Sequence, residues 1–177
     1  MHLIAACLIL FGCGIESRHG EKFASPDSFR ASLSKVFDEY VIVEKALADS
    51  QVVLALNAGS TMHARLHEVS TDGLDSAGKA YWDTTTNRIM AVLHQPSATA
   101  EDLQAARKTF AAYSPILADA FMAFELNSRV QILVLNCPKA MGGQGAMWMQ
   151  RDANASNPYL GRADNSCAVR LDQAGHH

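Results

Sequence analysis

From residue 27 to about residue 126 the apolar residues return every three or four positions and never alternate over any useful length, so this stretch is predicted to be helical. Phe29, Leu33, Val36, Phe37, Tyr40, Val43, Ala46 and Leu47 make one stripe of a first helix, entered at Pro26-Asp27 or Ser28. Asp49 and Ser50 offer a break, after which Val52, Val53, Leu56, Met62, Leu66 and Val69 mark a second helix. A kink is expected at its Asn57-Ala58-Gly59-Ser60 stretch, because glycine costs about 1 kcal/mol relative to alanine in a helix interior. Ser70-Thr71-Asp72-Gly73 reads as a turn, and Tyr81, Trp82, Ile89, Met90, Val92 and Leu93 define a third helix that stops before Pro96. The fourth opens at Thr99-Ala100-Glu101-Asp102 in the manner of a capping box. It carries Leu103, Ala106, Phe110, Tyr113, Leu117, Phe121 and Phe124 across Pro115, where a bend is expected. Helices in series with short connections imply a mainly α fold, an antiparallel up-and-down four-helix bundle over residues 27–126.

Past Asn127-Ser128 the pattern changes. Val130-Gln131-Ile132-Leu133-Val134-Leu135 is β-branched and leucine-rich, and it predicts a short strand ending at Cys137-Pro138. Residues 139–177 are rich in glycine and asparagine and lack sustained periodicity, so residues 129–170 read as a loop-rich cap on the bundle and 171–177 as a tail.

With 49% apolar and 19% charged residues the chain can bury one core, which excludes disorder over most of its length. A net charge of −3 with no run of like charge gives no support to a nucleic-acid partner. The apolar stretch at residues 3–11 is roughly half of the ~20 residues a bilayer crossing needs. It has the length of a secretory h-region and runs into Leu10-Phe11-Gly12-Cys13, which looks like a bacterial lipoprotein signal. Residues 1–12 would then be a signal peptide, Cys13 the lipid-bearing first residue, and residues 13–26 a polar tether. An ordinary signal peptide with Cys13 incidental is the alternative. Either way the chain is expected outside the cytoplasm, in the periplasm or at the outer membrane, touching membrane through its anchor alone.

Export leaves Cys137 and Cys167 in an oxidising compartment, where two cysteines permit one disulfide or one two-thiolate site. Cys137, Met141, Met147, Met149 and Cys167 supply five sulfurs within a short stretch. Soft, polarizable sulfur favours Cu(I) over hard cations, so a soft-metal site is one reading of this cluster. If residues 147–149 are extended, Met147 and Met149 point to one side and Trp148 to the other. The competing reading packs the methionines against Trp148 and Tyr159 and joins the cysteines to each other. His63 and His67, four apart on the second helix, share a face and are a second ligand candidate or else a solvated face; Met90 and His94 repeat the spacing on the third helix. No Gly-x-Ser-x-Gly elbow, phosphate-cradling Gly-x4-Gly-Lys-Ser/Thr loop or His-Glu-x-x-His helix occurs, so no enzyme is expected.

Cys137-Pro138-Lys139-Ala140-Met141, Gly145-Ala146-Met147-Trp148-Met149, Asn157-Pro158-Tyr159-Leu160-Gly161 and Cys167, preceded by helices in which Arg107, Phe110 and Ser114 form an Arg-x-x-Phe-x-x-x-Ser segment, resemble the DUF3347 domains. These are exported bacterial domains, also found fused to periplasmic adaptor subunits of heavy-metal efflux systems. Lys139 stands where that family has methionine, and the methionine and glycine that flank the family's last cysteine are absent around Cys167. The resemblance implies metal handling or efflux as the context, with efflux or metal-handling proteins as partners. The leading expectation is an exported, lipid-anchored protein that binds a soft metal, Cu(I) favoured. The alternative is a structural or interaction module held by a Cys137–Cys167 bridge.

Overall fold

The computed structural model describes residues 22–94, 102–127, 129–154 and 156–171. Four long helices precede a small sheet: α1 (Asp27–Ala48), α2 (Val52–His67), α3 (Ser76–Leu93), α4 (Leu103–Phe124), β1 (Leu133–Cys137), the single turn α5 (Ala140–Gly143), β2 (Ala146–Gln150) and β3 (Val169–Arg170). The signal-like segment, Cys13, the tether as far as residue 21, the Thr99 helix start and the terminal His176-His177 lie outside the described residues. No described helix is long and apolar enough to cross a membrane.

The stripe on α1 is the spine of the core: Phe29, Leu33, Val36, Phe37, Tyr40 and Leu47 are all buried. It packs on α2 and α4, while α3 packs on α4. Aromatic rings fill the space between, with Phe29 at 4.7 Å from Phe124 and 5.3 Å from Trp82, and Phe37 at 5.3 Å from Phe121. The end of the predicted tether joins this core. Phe23 donates its N–H to Ala123 O at 2.8 Å and lays its ring 4.9 Å from Tyr81.

The helix ends follow local chemistry. After α1, Ser50 takes φ +58° and donates to Leu47 O, while Gln51 donates to Ala46 O, the paired bonds of a Schellman turn. α2 runs unbroken through the stretch where a kink was expected. α3 and α4 are each capped by an aspartate: Asp75 accepts from Gly78 N at 2.7 Å and Asp102 from Ala105 N at 2.8 Å. α4 continues through Pro115, which is exposed, so the missing N–H falls on the wet side of the helix.

The strand read at residues 130–135 is displaced: β1 begins at Leu133 and continues through Cys137. It is the centre of an antiparallel sheet of order β2-β1-β3, with Cys137 opposite Ala146, Leu135 opposite Trp148 and Leu133 opposite Gln150. The cap is therefore less loop-rich than its composition suggests. Met141, Gly142, Gly143 and Gly145 all take positive φ, and this tight reversal returns the chain as β2.

Candidate functional site

Cys137 closes β1 and Cys167 lies in the last loop; the two are joined as a disulfide with Cα atoms 4.9 Å apart. Both are buried, and Asn157 Nδ2 donates to Cys167 Sγ at 3.3 Å. Side chains alternate across a strand, so Cys137, Leu135 and Leu133 share one sheet face with Ala146, Trp148 and Gln150. Met147 and Met149 lie on the opposite face, as their spacing predicted. Their thioethers are thereby separated from the disulfide by the thickness of the sheet. Met149 is wholly buried, and Met141 and Met147 are half-buried against the core. In this oxidation state the two cysteine sulfurs are bonded to each other.

What the C-terminal motif does build is a brace. Asn157 Oδ1 accepts from Tyr159 N at 2.9 Å and Leu160 N at 3.1 Å, an Asx turn that leaves through Gly161 at φ +97°. The Tyr159 hydroxyl donates to Met147 O at 2.7 Å, and its ring lies 6.0 Å from Trp148 and 5.8 Å from Phe110. Arg107, buried on α4, donates from Nε to Pro158 O at 2.8 Å and from Nη2 to Leu47 O at 3.2 Å, tying α4, α1 and the turn together. Tyr40 Oη shares a 2.9 Å bond with Ser114 Oγ and accepts from Met149 N at 3.0 Å. Burial pushes the Tyr40 and Tyr113 hydroxyls well above the ordinary phenol range.

Some polar groups of this region are unsatisfied. Among the described residues, Glu44, fully buried on α1, has no hydrogen-bond partner at either carboxylate oxygen, and the buried Ser156 Oγ and Asn165 Oδ1 likewise have none. Desolvation raises the Glu44 pKa from 4.5 to about 8, against smaller lowering by Ser156, Lys45 and Arg162. The two cations are committed elsewhere, Lys45 to Asp152 at 2.7 Å and Arg162 to Asp49 at 2.6 Å. The sequence held a signal for it: Glu44 follows Tyr40 by four residues, inside the apolar stripe.

A second region lies between α1, α2, α4 and the end of α3. A cavity of about 390 Å³ there is walled by Val43, Leu47, Ala55 and Ala106, with His63 and His94 among its few polar residues. His63 and His67 do share a face, with ring centroids 4.8 Å apart, and His94 approaches His63 at 5.8 Å. The i, i+4 spacing announced the first contact. The second depends on how α3 returns beside α2, which no spacing reports. Among the described residues, no three His, Cys, Asp or Glu side chains stand as a ready-made metal ligand set.

Fold and brace define a mainly helical domain closed by a disulfide-linked three-stranded cap. The sequence model of a family described as "Protein of unknown function (DUF3347)" matches residues 36–129, just over half of the chain, and the chain belongs to that family. The match runs from within α1 to the residues just before the sheet. No curated protein and no solved structure matches the chain.

Proposed function

We propose that this is an exported, non-enzymatic binding or interaction module, anchored through a lipid on Cys13, whose helices form an antiparallel up-and-down bundle carrying a disulfide-braced cap. The observation that carries this reading is the Cys137–Cys167 bridge together with the brace around it. Disulfides persist outside the cytoplasm, and the bonded thiols are not free as nucleophiles or ligands. The three-residue connection between α1 and α2 supports antiparallel neighbours. Nonreducing mass mapping of freshly isolated protein should recover the Cys137–Cys167 peptide pair; recovery of both cysteines alkylated removes the foundation of this reading.

A second reading keeps soft-metal handling in an efflux context, with metal-handling proteins as partners. It is favoured by the same geometry in the reduced state, because cysteines whose Cα atoms lie 4.9 Å apart become a preformed thiolate pair. A thiolate pair suits two-coordinate Cu(I). Met141, Met147 or Met149 would have to be brought round by rearrangement of the cap to join it. Titration of reduced protein with Cu(I) against a chromophoric chelator, beside the Cys137→Ser, Cys167→Ser double variant, decides the matter. Absence of competition eliminates the metal reading.

A further inference from the structure

Three of the chain's seven histidines meet beside the cavity between the helices. His63 and His67 stand one turn apart on α2, and His94, the residue that ends α3, brings its ring to 5.8 Å from that of His63. His63 Nε2 is buried and has no hydrogen-bond partner among the described residues. A buried ring nitrogen left unpaired costs free energy that a bound ligand would recover. Burial, and then the neighbouring His67 and His94, holds His63 below the usual imidazole range. The carboxylate closest in sequence, Glu68, is paired with Arg65 at 2.9 Å and does not compete for the rings.

We propose that His63, His67 and His94 capture a late first-row divalent cation, such as Zn(II), Cu(II) or Ni(II), across the seam between α2 and α3. Imidazole suits these ions, whereas Mg(II) and Ca(II) require oxygen ligands. The i, i+4 pair offers two donors from one helix face, and His94 supplies the third from the neighbouring helix. The set is not ready-made, and it closes by rotation of two exposed side chains, His67 and His94. Water completes the coordination shell. This site uses no cap residue and no reduced thiol, so it goes beyond the reading above and stands or falls separately from it.

The test titrates Zn(II) into the disulfide-intact chain carrying His2→Asn, His19→Asn, His176→Asn and His177→Asn, which removes the terminal imidazoles. A chromophoric zinc indicator reports the competition. One ion should bind per chain. Affinity should fall by roughly tenfold or more in His67→Asn and in His94→Asn, while Cys137→Ser, Cys167→Ser changes it little. Zn(II) should also raise the thermal midpoint of the parent and not of the two histidine variants, because a ligand that binds only the folded state stabilises it. Both replaced residues are exposed, so the variants are expected to fold, as far-UV circular dichroism will verify. Binding that survives both substitutions unchanged, or an indicator that the parent never displaces, overturns the proposal.

Discussion

The two halves of the molecule differ in how densely their polar groups are bonded and in how much open space lies beside them. Around the cap, Arg107, Tyr40, Gln150, Asn157 and Tyr159 are buried and each has hydrogen-bond partners on another part of the chain. Beside the α2–α3 seam the helices leave a cavity of about 390 Å³, and the buried nitrogen of His63 has nothing to bond. Each satisfied bond in the brace contributes about 0.5–1.5 kcal/mol, and each buried group left unpaired costs about 1–3. Neither side is fully satisfied, since Glu44, Ser156 and Asn165 beside the cap also keep buried atoms without partners among the described residues; what sets the seam apart is the open volume next to its unpaired nitrogen. Arg107 and Asn157, residues of the family-like motifs, act in the fold as fasteners.

The brace should yield the largest effect. Arg107→Met keeps much of the side-chain volume but strips hydrogen bonds from the carbonyls of Pro158 and Leu47. Bonds from a charged donor are worth more than neutral ones, so a loss of about 3–4 kcal/mol in urea unfolding is expected. A loss below about 1 kcal/mol would mean that the brace is ornamental and the contrast between the halves false.

Glu44 tests an unsatisfied group on the braced side. Its folded-state pKa of about 8 exceeds the ordinary 4.5, so the folded state holds the proton more tightly than the unfolded chain. The associated stability is fully present below about pH 4.5 and is lost as pH rises through about 8. Glu44→Gln keeps the shape without the ionisation. The variant should match the parent near pH 4.5 and exceed it above pH 8. The expected gain is on the order of 3 kcal/mol, read as the difference in urea midpoints across that range. A difference that does not change with pH would mean that the carboxylate finds a partner or water when charged.

The helices were legible because each displays one long apolar stripe, and stripes survive without knowledge of the partner. The family was legible too, from Arg107, Phe110 and Ser114 with the Asn157–Gly161 turn. β1 was displaced by three residues because Val130 and Ile132 are as strand-like as the residues that pair, and the register is set by β2. β2 itself was hidden: five residues after Gly145 show no period until they are paired. Asp102 caps α4 where the helix is described, while the Thr99 start read from the sequence lies outside the described residues. Two cysteines allow one pairing, so the partners were readable while the oxidation state was not. His94 was beyond reach, since its approach to His63 is a consequence of helix packing.

The smallest prediction carries the opposite sign and probes the open side. Gly59 sits within α2 at the cavity wall, at a helical φ, and a Cβ added there would meet nothing within 4 Å. Glycine loses more backbone freedom than alanine when a helix forms, so Gly59→Ala should raise stability by about 0.5–1 kcal/mol. A satisfied, close-packed region rejects an added methyl, and overpacking commonly costs about 1–3 kcal/mol. The sign therefore reports whether the seam is open in solution. Stabilisation agrees with an unfilled groove beside the histidines, and destabilisation means that the helices close on each other there. In the second case the distinction between a finished half and an unfinished one would have to be abandoned, and the histidine site with it.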